Sequence, residues 1–76
     1  MFTVTITFRE DKHQEFYEVG STFSIFEADN EKVKEYKEKF PEAISFIIGE
    51  TVILPILPNC TYEIINSKGV CVKTLY

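Results

Sequence analysis

The chain has 76 residues, of which 45% are hydrophobic and 26% are charged. A chain of this length buries one hydrophobic core, so we expect a single domain over residues 1–76. The chain is too short for a fold with several βαβ units, which excludes most large enzyme scaffolds. Twelve acidic and eight basic residues give a net charge of −4. This charge argues against direct nucleic-acid binding, which needs clustered Lys and Arg side chains.

The first part of the chain predicts an antiparallel hairpin. Residues 2–9 alternate apolar side chains with threonines, which is the period of a half-buried strand. The polar run 10–13 then reverses the chain into a second strand, residues 14–19, which ends at Gly20. A short extended segment at residues 23–26 follows this hairpin.

A single short helix is predicted from residue 31 to residue 40. Asp29 or Asn30 precedes it as a cap that accepts a hydrogen bond from a free backbone N–H. Apolar residues recur inside it at spacings i, i+3 and i+7, which places them on one face. Pro41 ends the helix, because the residue before a proline is disfavoured in helical geometry.

The rest of the chain predicts strands and tight turns. The strands are at residues 43–48, 51–54, 60–65 and 70–75, and the turns are at residues 49–50 and 66–69. The order ββαββββ predicts an α+β fold, a mostly antiparallel sheet or small barrel with one helix. Pro55 and Pro58 lack a backbone N–H, so Ile56-Leu57 is an edge or a loop. This pair is either an exposed apolar contact site or a rigid loop that fills the core.

Two cysteines are expected to stay reduced. With a turn at residues 66–69, Cys71 lies opposite Ile64, Ile65 or Asn66, several residues from Cys60 along the strand. Among alternating strand residues, the Cys71 thiol is expected to be buried as a small hydrophobe. Reduced thiols favour the cytoplasm, and the chain begins without a cationic and apolar signal sequence.

No catalytic, cofactor or metal site is predicted. His13 with one of the two thiols is the only possible nucleophile and base pair, and His13 falls in a hairpin turn where a solvated histidine needs no function. There is no CxxC spacing for a metal and no glycine-rich loop for a phosphate. The most apolar stretch, residues 44–57, is interrupted and shorter than the roughly 18 to 20 residues of a membrane span. We therefore expect a soluble, non-catalytic protein without cofactors.

Acidic residues concentrate in the first half of the chain. Between residues 10 and 31 seven acids are opposed by one base, Lys12. The acids in this stretch are Glu10, Asp11, Glu15, Glu18, Glu27, Asp29 and Glu31. Such a field favours a partner with a basic surface, such as a groove that normally holds nucleic acid. The alternative is that the charge only keeps a small domain in solution.

One exposed aromatic residue is expected beside these acids. Phe16 and Tyr17 are neighbours on a strand, so they point to opposite faces and one of them lies away from the helix. Tyr17, flanked by Glu15 and Glu18, is our expected anchor, because a tyrosine with a polar rim is typical of a protein-binding hot spot. The predicted partner-binding residues are Glu10, Asp11, Glu15, Tyr17, Glu18, Glu27 and Asp29.

Residues 2–48 resemble short open reading frames of tailed-phage genomes. The likeness lies in Phe8-Arg9-Glu10-Asp11, in Phe16-Tyr17-Glu18-Val19-Gly20 and in the charged helix with Glu31-Lys32-Val33 and Lys37-Glu38. Ser21 stands where that pattern has an acidic residue. The resemblance implies a phage or mobile-element origin and assigns no active-site residue.

Two functions follow as hypotheses. In the first, the protein is a non-catalytic, phage-encoded inhibitor in the cytoplasm of a bacterial host, similar to an anti-CRISPR protein, which occupies the basic nucleic-acid groove of a defence protein. In the second, it is a small virion component that self-assembles through an apolar patch such as Ile56 and Leu57. The partner and the oligomeric state stay open at this point, with a homodimer among the possibilities.

Overall fold

The computed structural model describes residues 1–27 and 29–76. Within these residues it has seven strands and one helix. They are β1 (Phe2–Phe8), β2 (Gln14–Val19), β3 (Phe23–Glu27), α1 (Glu31–Lys39), β4 (Ser45–Gly49), β5 (Ile53–Ile56), β6 (Cys60–Ile65) and β7 (Cys71–Leu75). The predicted α+β fold with one helix and mostly antiparallel strands is confirmed, and the extended segment at residues 23–26 is the strand β3.

The strands form two antiparallel sheets. The four-stranded sheet has the order β2-β1-β6-β7, and the three-stranded sheet has the order β3-β4-β5. In the first hairpin Val4 lies opposite Tyr17 and Ile6 opposite Glu15. On its other side β1 pairs with β6, so that Val4 lies opposite Ile64. This pairing joins the beginning and the end of the chain.

Alternation along the strands sorts apolar and polar side chains onto two faces of the four-stranded sheet. The inner face packs against the three-stranded sheet, where Val4, Ile6 and Tyr62 meet Ile47 and Leu54. The outer face carries the threonines of β1, together with the side chains opposite them on β2 and β6. Antiparallel sheets commonly have one covered and one solvated face of this kind.

The helix covers the other side of the three-stranded sheet. Val33 is its one buried residue and packs with Ala43 and Phe46. Of the two predicted capping residues, Asn30 is the cap, because its side chain accepts the backbone N–H of Lys32 at 3.0 Å. The molecule is thus layered as four-stranded sheet, three-stranded sheet and helix.

The segment that contains Pro55 and Pro58 is buried in part. The strand β5 is an edge strand that contains Pro55, as predicted for an edge. Ile56 is fully buried between the two sheets, so of the two alternatives for Ile56-Leu57 the structure supports the one that fills the core and contradicts an exposed contact site at Ile56. Its side chain shares a face with Leu54, two residues earlier, and that face contacts the four-stranded sheet.

Both cysteines are free thiols, and Cys71 lies opposite Ile65 as predicted. The expected burial of Cys71 is wrong, because this thiol is exposed whereas Cys60 is buried. Cys71 pairs with Ile65 on the outer face of the edge strand β7, where nothing covers it.

Candidate functional site

A concave surface lies around Leu57, between the inner face of the four-stranded sheet and the strand β5. Adjoining pockets of about 230 and 300 Å³ share Leu57 and Phe8 as a common floor. Phe40, which follows the helix, and Pro58 add further apolar surface. We call this surface the Leu57 groove.

Carboxylates line the groove in each of its parts. Glu10, Asp11 and Glu42 line the smaller pocket, and Glu15 lines the larger one beside Tyr17. A third pocket of about 300 Å³ continues from Leu57 to Lys39, the one basic residue of the described chain that lines these pockets. The groove therefore combines an apolar floor with a mainly acidic rim.

Glu15 is held between Tyr17 on its own strand and His13, which directly precedes that strand. Its Oε2 accepts a hydrogen bond from the Tyr17 hydroxyl at 2.8 Å, and its Oε1 lies 3.4 Å from Nε2 of His13. The hydrogen bond to the Glu15 carboxylate, together with burial and repulsion by that charge, raises the pKa of Tyr17. Tyr17 is thus a neutral donor that fixes the carboxylate on the groove side of β2.

The floor of the groove is anchored to the four-stranded sheet by Tyr62. Its buried hydroxyl accepts the backbone N–H of Leu57 at 3.0 Å and donates to the carbonyl of Pro55 at 2.8 Å. Burial is the main cause that raises the pKa of Tyr62 to about 12. The phenol therefore stays protonated and keeps Leu57 in place.

Asp11 and Glu10 lie in the turn between β1 and β2. The Asp11 carboxylate accepts the backbone N–H of His13 at 2.9 Å, a bond within the turn. Lys12, which lies between Asp11 and His13, has a φ of 62°, in the left-handed region. Asp11 therefore shapes this turn as well as lining the groove; both Glu10 and Asp11 are exposed.

The remaining predicted site residues lie elsewhere. Glu18 is on β2 but points to the outer face, opposite Thr3. Glu27 ends β3 in the other sheet, and Asp29 precedes the helix cap; both are exposed and neither lines the groove. The structure therefore brings together Glu10, Asp11, Glu15 and Tyr17 and separates the other three.

Two residues of this region were not predicted from the sequence. Phe16 is the more exposed of the two adjacent aromatics, at 65% against 39% for Tyr17, because it points to the uncovered outer face. The register of the hairpin determines which ring is more exposed, since Tyr17 lies opposite the core residue Val4 and so faces inward. Glu42, after the helix, has no sequence signal that connects it to the groove.

Nucleophilic chemistry finds no support in the placement of the thiols. Burial raises the pKa of Cys60, which lowers its thiolate fraction, although a hydrogen bond with Tyr62 and the charge of Arg9 act in the opposite direction. The His13 ring stacks obliquely on Phe8, with centroids 5.6 Å apart, and its Nε2 is directed to Glu15. In the part of the chain that the structure describes, no hydrogen bond joins His13 to a thiol.

Residues 1–27 and 29–76 contain no cluster of three or more potential metal ligands among their His, Cys, Asp and Glu side chains. Over the same ranges no helix has the length and apolar character that a membrane crossing requires. No family model, curated protein or solved structure matches the chain.

Proposed function

We propose that the protein is a non-catalytic binding module that occupies a basic surface of another protein. The observation that supports this most strongly is the acidic rim of the Leu57 groove, formed by Glu10, Asp11, Glu15 and Glu42 over an apolar floor. Apolar surface with a rim of one charge is suited to a partner that offers basic and apolar side chains together. The fixed position of Glu15 favours such binding, because less side-chain freedom is lost on association.

A basic protein surface that normally holds nucleic acid is the partner class we favour. Occupation of that surface by an acidic domain would inhibit the partner by competition, as expected for a phage-encoded inhibitor in the cytoplasm of a bacterial host. The resemblance of residues 2–48 to tailed-phage reading frames supports this origin. Affinity of this kind falls with salt, since the charges are at the rim and screened by ions.

The capture of partners from a bacterial lysate tests the proposal. The protein is immobilised and bound proteins are identified by mass spectrometry at low and at high salt. We expect a basic nucleic-acid-binding protein that is captured at low salt only and is released by competing DNA or RNA. Glu15→Lys is expected to abolish its capture, because it replaces a carboxylate of the groove with a positive charge that repels a basic partner.

Glu27→Lys is the matched control, because it changes the net charge equally at an exposed position outside the groove. The capture should survive this variant. Salt-insensitive capture, or equal loss with Glu15→Lys and Glu27→Lys, would contradict the proposal. Stoichiometric self-assembly in light scattering without capture of any partner would instead favour the virion-component alternative.

That alternative now needs a different surface. Ile56 is buried, so this residue is not part of an exposed apolar patch through which copies could assemble. Exposed apolar side chains lie instead around the edge strand β7, at Val70, Val72 and Tyr76. Val72→Asp is therefore the appropriate test of self-assembly, and an unchanged assembly would exclude this edge.

A further inference from the structure

The strand β2 is a free edge of the four-stranded sheet and the longest edge strand of the two sheets, with six residues. The other edges, β3, β5 and β7, are shorter, and two of them, β5 and β7, carry protections that β2 lacks. The strand β7 has a register shift opposite Ile64 and Ile65, and β5 contains Pro55. Bulges and prolines are known protections of sheet edges against added strands. The strand β2 has neither.

The backbone of β2 offers alternate groups to an added strand. The Phe8 N–H donates to the His13 carbonyl at 2.8 Å, so this pair is hydrogen-bonded across the hairpin. Antiparallel ladders alternate, and the register of β1 and β2 is regular. The N–H and C=O groups of Gln14, Phe16 and Glu18 therefore point away from β1.

Side chains on both faces of this edge carry negative charge and an aromatic ring. Glu15 and Tyr17 lie on the groove side, and Phe16 and Glu18 lie on the outer face. A strand that paired with β2 would place alternate side chains beside each of these faces. Its complement is a segment with lysine or arginine near the acids and apolar residues near the rings.

We propose that the β2 edge binds an extended, basic segment of a partner protein by strand addition. In this mode the main-chain hydrogen bonds supply affinity, and alternate side chains supply specificity. The side chains of the added strand that lie on the groove side extend into the Leu57 groove, next to Glu15. The inference rests on the proposed function and specifies the form in which the basic partner binds.

The charges disfavour a second copy of this chain as the occupant. Antiparallel pairing of two β2 strands places Glu15 of one copy on the same face as Glu15 of the other, and Glu18 on the same face as Glu18 of the other. Like charges opposite each other destabilise a strand pair, whereas opposite charges stabilise it. An inward-pointing charge such as Glu15 is also a recognised device against edge-to-edge self-association. The same residues therefore select a basic strand.

The test uses a synthetic peptide of about ten residues, long enough to span the six residues of β2, in which lysine alternates with valine and threonine. Its control has the same composition with D-residues at alternate positions, which keeps the charge and prevents strand formation. Amide hydrogen exchange of the labelled full chain is measured by NMR with each peptide. We expect slowed exchange at Gln14, Phe16 and Glu18 with the all-L peptide only.

Two variants distinguish the contribution of the Phe16 backbone to peptide binding from that of its side chain. Phe16→Pro removes an N–H that points away from β1, where a proline is tolerated, and Phe16→Ala keeps that N–H. We expect the proline variant to bind the all-L peptide at least about tenfold more weakly than the alanine variant, as for the loss of one hydrogen bond and the contacts beside it. Circular dichroism checks that both variants are folded. The exchange data on the unmodified chain decide the question if Phe16→Pro does not fold.

Each outcome distinguishes this inference from the proposed function. Equal binding of both peptides, weakened by Glu15→Lys, would overturn strand addition and leave the charge-dependent function standing. Slowed exchange on β7 instead of β2 would overturn the choice of edge. If neither peptide binds, strand addition of basic segments is overturned. The proposed function is then tested by the lysate capture alone.

Discussion

Tyr62 and Leu57 connect the core of the four-stranded sheet to the floor of the groove. The hydroxyl of Tyr62, on β6, accepts the backbone N–H of Leu57 at 3.0 Å. Leu57 also packs against both hydrophobic clusters, the one between the sheets and the one under the helix. A displacement of Leu57 would therefore change the groove and loosen both clusters together.

Removal of this hydroxyl is expected to destabilise the protein. Tyr62→Phe leaves the Leu57 N–H and the Pro55 carbonyl without their partner, which costs about 1–3 kcal/mol for buried polar groups. The free energy of unfolding, measured by denaturant titration, should fall by this amount. Tyr76→Phe is the control, because Tyr76 is exposed. An equal, small effect of both variants would show that the Tyr62 hydroxyl contributes nothing to stability.

Stability should also decrease at alkaline pH because of Tyr62. Its pKa is raised from 10.0 to about 12 in the folded protein, mainly by burial. The folded state thus favours the protonated phenol, and the stabilisation is complete below pH 10 and is lost as pH rises towards 12. The free energy of unfolding, measured across this window, should decrease more steeply in the wild type than in Tyr62→Phe. Parallel curves for the two proteins would refute this assignment.

Local features of the fold could be predicted from the sequence. The first hairpin follows from alternation in residues 2–9 and the polar run after it, both of which act over neighbouring residues. The turn between β6 and β7 likewise predicts that Cys71 lies opposite one of residues 64–66, and in the structure it lies opposite Ile65. The choice of Asn30 over Asp29 as helix cap needed the structure, because both side chains can accept the same bond.

The groove could not be predicted, because it depends on contacts between distant parts of the chain. The pairing of β1 with β6 determines which sheet each strand joins, and alternation does not identify partner strands. Glu42 and Glu15 line the same surface only after this pairing. Local spacing also favoured Tyr17 over Phe16 as the exposed ring, whereas the register exposes Phe16 more. The concentration of acidic residues in residues 10–31 is visible in the sequence, but their division between faces required the fold.

The two thiols should differ in reactivity with a disulfide reagent at mildly alkaline pH. Cys71 is exposed, whereas Cys60 is buried and its pKa is raised by that burial. Since the thiolate is the reacting form, we expect Cys60 to react at least about tenfold more slowly. Absorbance of the released reagent should show one fast and one slow thiol, and Cys71→Ser should remove the fast one. A fast phase that persists in Cys71→Ser would show that Cys60 is accessible.

The close approach of Gly49 to the end of β2 leads to the last prediction. A Cβ atom at Gly49 would lie 2.8 Å from Cβ of Val19 and 3.0 Å from the backbone nitrogen of Gly20. One of these neighbours is a main-chain nitrogen and the other is a Cβ atom, which moves only with the main chain. The backbone must therefore move to admit a methyl group. Gly49→Ala should therefore lower the free energy of unfolding by about 1–3 kcal/mol, as overpacking does elsewhere.

Thr51→Ala provides the matched control, because Thr51 is exposed beyond the same turn. It should change stability by less than about 0.5 kcal/mol, as surface substitutions usually do. Denaturant titrations of the two variants give the comparison directly. If Gly49→Ala is as stable as Thr51→Ala, the crossing of the two sheets at Val19 has room for a side chain. In that case the contact between β2 and the turn after β4 is looser than the distances indicate, and the position of β2 over the Leu57 groove is less constrained.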